Sequence, residues 1–214
     1  MGESAKTAAS RLATSTGRAA QWSALGERLE LDPSPGSHAL LRGLLNLEPK
    51  AVLEPIYRAE LSFENERRAR LYLLDYSNVS ERAEQLASVA LLNFETPFTD
   101  VHLKASQKLH KVLESLQASA SLSTPLNFPK DPDFSAQVTV LARDAQGAKA
   151  LLTQRPRHIL DKALNKRDCA PTFLLGEKQL VLTNLAPASE PTPLELLEML
   201  ALDLISFYSA LPKL

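Results

Sequence analysis

Residues 57–73 contain two runs in which apolar and polar side chains alternate, and this alternation constrains the fold more than any other feature. The apolar members are Tyr57, Ala59, Leu61 and Phe63 in the first run, and Ala69, Leu71 and Leu73 in the second. A period of two places these side chains on one face of a strand. Because the short polar stretch 64–67 separates the runs, the pattern predicts an antiparallel hairpin.

Further strands are predicted at 88–92 and 134–142, and a second hairpin is predicted in PTFLLGEKQLVL, residues 171–182. Gly176-Glu177 fits a type II′ turn, since glycine accepts the positive φ of the first loop position. Residues 171–182 carry no reactive side chain, so we interpret them as sheet scaffold. Strand pairs joined by short turns predict an α+β fold with a mainly antiparallel sheet of about five to seven strands and packed helices.

Helical spacing of apolar residues replaces the alternation after Pro97. The stripe of the first predicted helix is Val101, Ala105, Leu109, Val112, Leu113 and Leu116. Lys104, Lys108 and Lys111 form a basic row that is expected to face solvent. One or two further helices are predicted over 148–152 and 154–165.

The last predicted helix has the clearest start signal. Thr192-Pro193-Leu194-Glu195 combines a cap residue, a proline at the first helical position and a glutamate three residues after the cap. The helix is expected to run to about Ala210, and its apolar surface is broader than one stripe. Such a surface packs either on the sheet or on another molecule, which makes Leu197, Leu204 and Tyr208 candidate interface residues.

A proline-rich break at 32–37 predicts the domain organisation. Residues 1–31 are expected to form a helical or flexible N-terminal leader, and residues 38–214 a single α+β domain. The Ala- and Ser/Thr-rich composition is like that of a transit peptide, so a targeting segment is the alternative to this leader. Cys169 is the single cysteine and there is no secretory signal, so we expect a cytoplasmic protein. No stretch approaches the ~18 apolar residues of a membrane span.

Motifs for catalysis, phosphate loops and metal chelation are absent from the sequence. His102 and His110 lie eight residues apart, too far for a chelating pair on one helix. Asp131 and Asp133 are interpreted as part of a proline-flanked turn. Cys169 follows Lys166 and Arg167, which could lower its pKa, although a thiol also needs a base to be catalytic. We therefore expect no cofactor and no metal.

One segment, 153–167, carries five basic residues and one acidic residue, a local charge of +4. Arg155, Arg157, Lys162 and Lys166 are the candidate residues for binding a phosphorylated ligand or nucleic acid. A solvated helix face is the alternative, since the aromatic platforms of single-strand binding are missing. The formal net charge of −1 also argues against a dedicated nucleic-acid binder.

Several short segments together resemble the soluble portion of uncharacterised bacterial proteins that often carry N-terminal membrane spans. They are Leu74-Asp75-Tyr76, Ser88–Leu92, Asp133-Phe134-Ser135, Leu151-Leu152 and Gln179–Leu182. The resemblance covers roughly residues 20–211 and implies a cytoplasmic α+β domain of a family of unknown function. It assigns no functional residues.

Our leading functional hypothesis is a non-enzymatic interaction or regulatory module that binds another protein or a second copy of itself. Binding of a phosphorylated ligand or nucleic acid through the basic helix 153–167 is the first alternative. An enzyme acting through Asp75, Cys169 or the Asp131 loop is the second.

Overall fold

The structure, a computed structural model, describes residues 17–64, 66–80, 83–107, 124–165, 169–187 and 190–212. These residues form nine strands: β1 (Asp32–Pro33), β2 (Val52–Ser62), β3 (Arg68–Ser80), β4 (Ala83–Phe94), β5 (Leu103–Gln107), β6 (Thr124–Leu126), β7 (Val138–Ala142), β8 (Thr172–Gly176) and β9 (Gln179–Pro187). They also form the helices α1 (17–28), α2 (His38–Leu45), α3 (Pro132–Gln137), α4 (Ala145–Leu151), α5 (Gln154–Leu164) and α6 (Leu194–Ala210). None of the described helices combines the length and the apolar character that crossing a membrane requires.

All nine strands belong to one antiparallel sheet, in the order β1-β2-β3-β4-β9-β8-β5-β7-β6. The α+β class, the antiparallel sheet and the long C-terminal helix are confirmed. The predicted number of about five to seven strands is wrong. Strands β1 and β6 have only two and three residues, too short for an alternating pattern to stand out, and β5 lies within the helix predicted after Pro97.

Both faces of the sheet are buried, so the protein has two cores. The larger core lies between one face and helices α1, α4, α5 and α6, and includes Leu73, Ala90 and Leu182 from the central strands. The smaller core lies on the opposite face, where Leu41 of α2 packs with Leu74 and other apolar residues. Both faces of the central strands are therefore shielded from solvent.

The first hairpin is confirmed in register, with Tyr57 opposite Leu73 and Leu61 opposite Ala69. The amide of Phe63 donates to the carbonyl of Arg67 (3.0 Å), which closes the turn. Glu66 takes the left-handed conformation within it, with φ 61°. This turn positions Phe63 and Arg67 at one end of the sheet.

The second hairpin exists, but its predicted turn is wrong. Gly176 pairs with Gln179, so the two loop residues are Glu177 and Lys178. Gly176 does not take a positive φ, which the type II′ turn would require. The loop still serves as scaffold, because the carbonyls of Lys178 and Glu177 accept the amides of Phe94 (2.7 Å) and Phe98 (2.9 Å).

The predicted helix after Pro97 is wrong over Leu103–Gln107, which form β5, and its remainder, 108–116, lies outside the described residues. Leu103 and Ala105 face the larger core and Lys104 and Ser106 the opposite face. Lys104 is 6% exposed, so its expected place on a solvated surface is wrong too. Most residues of the predicted helical stripe lie beyond β5. Their spacing dominated the pattern, so the alternation over the five residues of β5 was not recognised.

The strand predicted from Phe134 begins only at Val138, because Pro132–Gln137 form α3. Asp131 explains this start, since its side chain accepts the amide of Phe134 as an N-cap. The helical prediction over 148–165 is confirmed, and of the one or two helices expected there the structure has two, α4 and α5.

Helix α6 begins at Leu194, with Pro193 instead of Thr192 at the N-cap position. The hydroxyl of Thr192 is buried and accepts from the side-chain amide of Asn184 on β9 (3.0 Å). The predicted cap residue therefore ties the helix to the sheet instead of capping its amides.

Residues 17–31 pack on the folded body, so part of the predicted leader contributes to the larger core. Trp22, Leu25 and Leu31 are buried there. The ring of Trp22 stacks on Tyr57 of β2 with a centroid distance of 5.5 Å and an interplanar angle of 5°. Residues 1–16 lie outside the described residues.

Candidate functional site

An open cleft of about 770 Å³ lies where four parts of the chain meet. Its lining residues come from the β2–β3 turn, the segment after β4, the start of α5 and the end of α6. They are Ser62, Phe63, Glu64, Arg67, Phe98, Arg155, Tyr208, Ser209, Leu211 and Pro212. The cleft therefore depends on the completed tertiary fold.

Aromatic rings form one wall of the cleft. Tyr208 lies 4.5 Å from Phe63 and 5.4 Å from Phe98, in edge-on contacts measured between ring centroids. Phe94 supports them from behind, 4.4 Å from Tyr208 and 4.7 Å from Phe98. Interlocked rings of this kind fix one another's orientation. Phe98 and Tyr208 are buried, so the half-buried Phe63 supplies most of the ring surface that faces the cleft.

Two arginines and one glutamate supply the charge of the cleft. Arg155 is exposed in the first turn of α5 and makes no ion pair with any described residue. Arg67 lies in the β2–β3 turn, beside the exposed Glu64. The charged lining is thus net positive by one, next to an apolar wall.

The other predicted basic residues do not join Arg155 at the cleft. Arg157 is engaged in the protein itself: Nε donates to Asp131 (2.8 Å), Nη1 donates to the carbonyl of Leu152 (2.7 Å), and the guanidinium lies 5.2 Å from the ring centroid of Phe128. Lys162 is exposed on α5, outside the lining of the cleft. Lys166 lies outside the described residues. The structure therefore divides the predicted basic set instead of bringing it together.

The three candidate interface residues are buried in the protein's own core. Leu197 and Leu204 are fully inaccessible and Tyr208 is 6% exposed. Packing of α6 on the sheet was the alternative that its broad apolar surface left open. Tyr208 takes part in the cleft instead, through its contacts with Phe63 and Phe98.

Asp75, one of the candidate catalytic residues, is the centre of a buried network. Its carboxylate accepts from Arg18 Nε (3.1 Å) and Nη2 (2.9 Å), from Trp22 Nε1 (2.9 Å) and from Ser88 Oγ (2.6 Å). Arg18 also donates to the carbonyl of Thr192 (2.5 Å). These bonds hold α1 and the segment before α6 on β3 and β4, which is a structural task.

The remaining reactive side chains do not converge on the cleft. Asp131 caps α3 and binds Arg157, whose hydrogen bond lowers the pKa of the Asp131 carboxyl from its ordinary value of 3.8. Cys169 is half-buried and is not a lining residue, and His102 forms an exposed ion pair with Glu177 (3.5 Å). Within the described ranges, no three His, Cys, Asp or Glu side chains are grouped as a metal site would need.

Sequence reasoning found Arg155 but missed the cleft around it. Phe63 was recognised as the last apolar residue of an alternating strand, and Tyr208 as part of the apolar surface of α6. Their meeting with Phe98 and Arg155 joins segments more than 140 residues apart, and no local pattern reports such a contact.

The chain matches no protein-family model, no curated protein and no solved structure. The resemblance to a bacterial family of unknown function therefore stays a prediction.

Proposed function

We propose that the protein is a binding module for a small anionic ligand with a flat apolar part, held in the cleft beside Arg155. The observation that carries this proposal is the juxtaposition of an exposed arginine with a rigid aromatic wall in one cleft. The ligand class is that of a phosphate monoester or a carboxylic acid, and the former matches the phosphorylated ligand predicted from the sequence. Binding, without chemistry on the ligand, is the proposed activity.

The size and lining of the cleft support a small molecule. A volume of about 770 Å³ falls within the roughly 300–1,000 Å³ of ligand sites. Guanidinium groups bind carboxylate and phosphate through two parallel hydrogen bonds, and aromatic rings stack on flat apolar groups. The cleft therefore offers a guanidinium group for the anion and aromatic rings for the apolar part of the ligand.

Aryl phosphates test this function directly. Phenyl phosphate should bind the wild-type protein in isothermal titration calorimetry, and phenol, which lacks the charge, should bind more weakly. The Arg155→Glu variant should bind phenyl phosphate at least about tenfold more weakly, since it loses a charge-assisted bond. Binding should weaken as salt rises.

The Lys162→Glu variant is the matched control. It makes the same kind of charge reversal two turns further along α5, at a position outside the cleft. Unchanged affinity in this variant supports the cleft. Equal losses in both variants would show that the basic helix face binds instead, and absence of binding at low salt would exclude both.

Self-association is a second candidate function, and it also rests on α6. Met199 and Leu202 are 44% and 56% exposed and lie three residues apart on its outer side. A second copy of the chain is the proposed occupant, since a two-fold interface places the same patch on both subunits. Light scattering should show a dimer that the M199E/L202E double substitution dissociates, while a monomeric wild type would exclude this function.

A further inference from the structure

The opposite face of the sheet carries a second polar site, at a place that the cleft does not reach. Lys104 and Ser106 of β5 point away from the larger core, because Leu103 and Ala105 point into it. Lys104 is 6% and Ser106 5% exposed. Neither side chain forms a hydrogen bond or ion pair with the described residues, and Ser106 Oγ is fully buried.

The register of four strands extends Ser106 into a row of hydroxyl groups. Ser106 is opposite Thr139 of β7 on one side and Thr172 of β8 on the other, and Thr172 is opposite Thr183 of β9. Cross-strand partners share a sheet face and lie about 5 Å apart. The three threonines are half-buried, so the row is accessible on both sides of Ser106.

The cross-strand neighbours of Lys104 carry no charge that could balance the ammonium group. Its cross-strand partners are Leu141 of β7 and Leu174 of β8. Burial accordingly lowers the pKa of Lys104 from its ordinary value of 10.5. The Lys104 nitrogen, unlike Ser106 Oγ, is not fully buried, so an anion from solution can reach it, and a bound anion offsets the partial desolvation of its charge.

We propose that Lys104 and the hydroxyl row Thr139–Ser106–Thr172 bind an oxyanion, a phosphate or carboxylate group. Lysine has three donors and no acceptor, and each hydroxyl can donate once. A ligand that only accepts hydrogen bonds and carries negative charge complements this set. A metal cation does not, because the ammonium group repels it.

Lysine ¹³Cε NMR with inorganic phosphate and with acetate tests the proposal at the residue itself. Ionic strength is held constant with sodium chloride, and the Lys104 resonance is assigned from its loss in the Lys104→Met variant. We expect a saturable shift of this resonance and a rise in the pKa of Lys104. Lys178, in the exposed β8–β9 turn, is the control and should not respond. The stronger of the two anions identifies the group that the site prefers.

Variants separate this site from the cleft. Ser106→Ala should weaken the anion response roughly threefold, the loss of one hydrogen bond, and Lys104→Met about tenfold or more. Arg155→Glu should leave the Lys104 response unchanged. A Lys104 resonance that neither anion shifts overturns the proposal, as does an undiminished response in Ser106→Ala. The wild-type and Ser106→Ala measurements decide the question even where Lys104→Met does not fold.

Discussion

At the scale of single residues, the buried pair of Arg18 and Asp75 carries a desolvation cost. The two side chains are 12% and 3% exposed, and both are removed from most of the water that would solvate their charges. The pair is tolerated because each charge also has neutral partners, Trp22 and Ser88 for Asp75 and the carbonyl of Thr192 for Arg18. Removing one partner alone should therefore be far worse than removing both.

Asp75→Asn should lower the free energy of unfolding by about 3 kcal/mol, because it leaves the Arg18 guanidinium buried without its counter-charge. Urea denaturation followed by circular dichroism measures this loss. The double substitution Arg18→Met with Asp75→Leu should restore part of the stability. Asp100→Asn, at an exposed position, is the control and should change stability little. Equal, small effects at Asp75 and Asp100 would contradict the role of the network.

The ion pair of Asp131 with Arg157 should make the stability of the fold depend on pH in the acid range. The folded-state pKa of Asp131 is lowered by the Arg157 hydrogen bond, so the pair stabilises the fold above the ordinary value of 3.8 and loses this effect as pH falls through the lowered pKa. The gain should be at most about 1 kcal/mol, because the Asp131 side chain is 29% exposed. Asp131→Asn retains an N-cap, so the stability difference from wild type should vanish in acid. A difference independent of pH in urea titrations would refute this account.

At the scale of elements, helix α1 shows how a segment without a clear sequence pattern joins the core. Gly26 lies on α1 where the chain passes close to Tyr57, and a Cβ atom there would be 2.8 Å from the ring carbon Cδ1 and closer still to Cε1. Tyr57 stacks on Trp22, so it cannot move away without disturbing that contact. The glycine permits the helix to approach the sheet.

Gly26→Ala and Gly43→Ala form a matched pair of helix substitutions with opposite expected signs. Alanine at Gly43 of α2 meets no atom within 4 Å, so stability should rise by up to about 1 kcal/mol through helix propensity. At Gly26 the overlap with Tyr57 should outweigh that gain and lower stability by about 1–2 kcal/mol. Thermal unfolding of both variants measures the two signs, and a stabilising Gly26→Ala would show that the approach of α1 to β2 is looser than described.

The elements also show why sequence reasoning succeeded unevenly. The β2–β3 hairpin and the helices α4 to α6 carry seven or more residues of consistent periodicity, and periodicity is a local property of the chain. Strand β5 has five residues, and its neighbours β8 and β7 come from far along the chain. Thr192 was predicted as a cap because the local pattern fits, but contact with Asn184 determined its role. Arg155 was identified by charge alone, whereas its aromatic partners depend on packing.

At the scale of the whole molecule, one sheet organises both cores and both proposed sites. Its outer strands are short, with β1 spanning two residues and β6 three, including Pro125. Short edge strands and proline limit pairing with other chains. Strand β1 nevertheless pairs only with Tyr57 and Arg58 of the eleven-residue β2, so most of the outer edge of β2 has no strand partner among the described residues.

Hydrogen exchange should follow the order of the strands in the sheet. The amides of β4 and β9 should exchange most slowly, because these strands are paired on both sides and covered on both faces. Those of β1 and β6 should exchange fastest. Mass spectrometry of peptic fragments after deuterium labelling measures this gradient, and protection of β6 equal to that of β4 would contradict the strand order.

The position of Trp22 gives the protein an intrinsic optical reporter. It is the single tryptophan of the chain. Its indole ring stacks on Tyr57 and donates a hydrogen bond to Asp75. Its emission should consequently shift to longer wavelength whenever α1 detaches from the sheet, even while the remaining strands stay paired. Partial opening of the molecule thus becomes observable by fluorescence without attaching any dye.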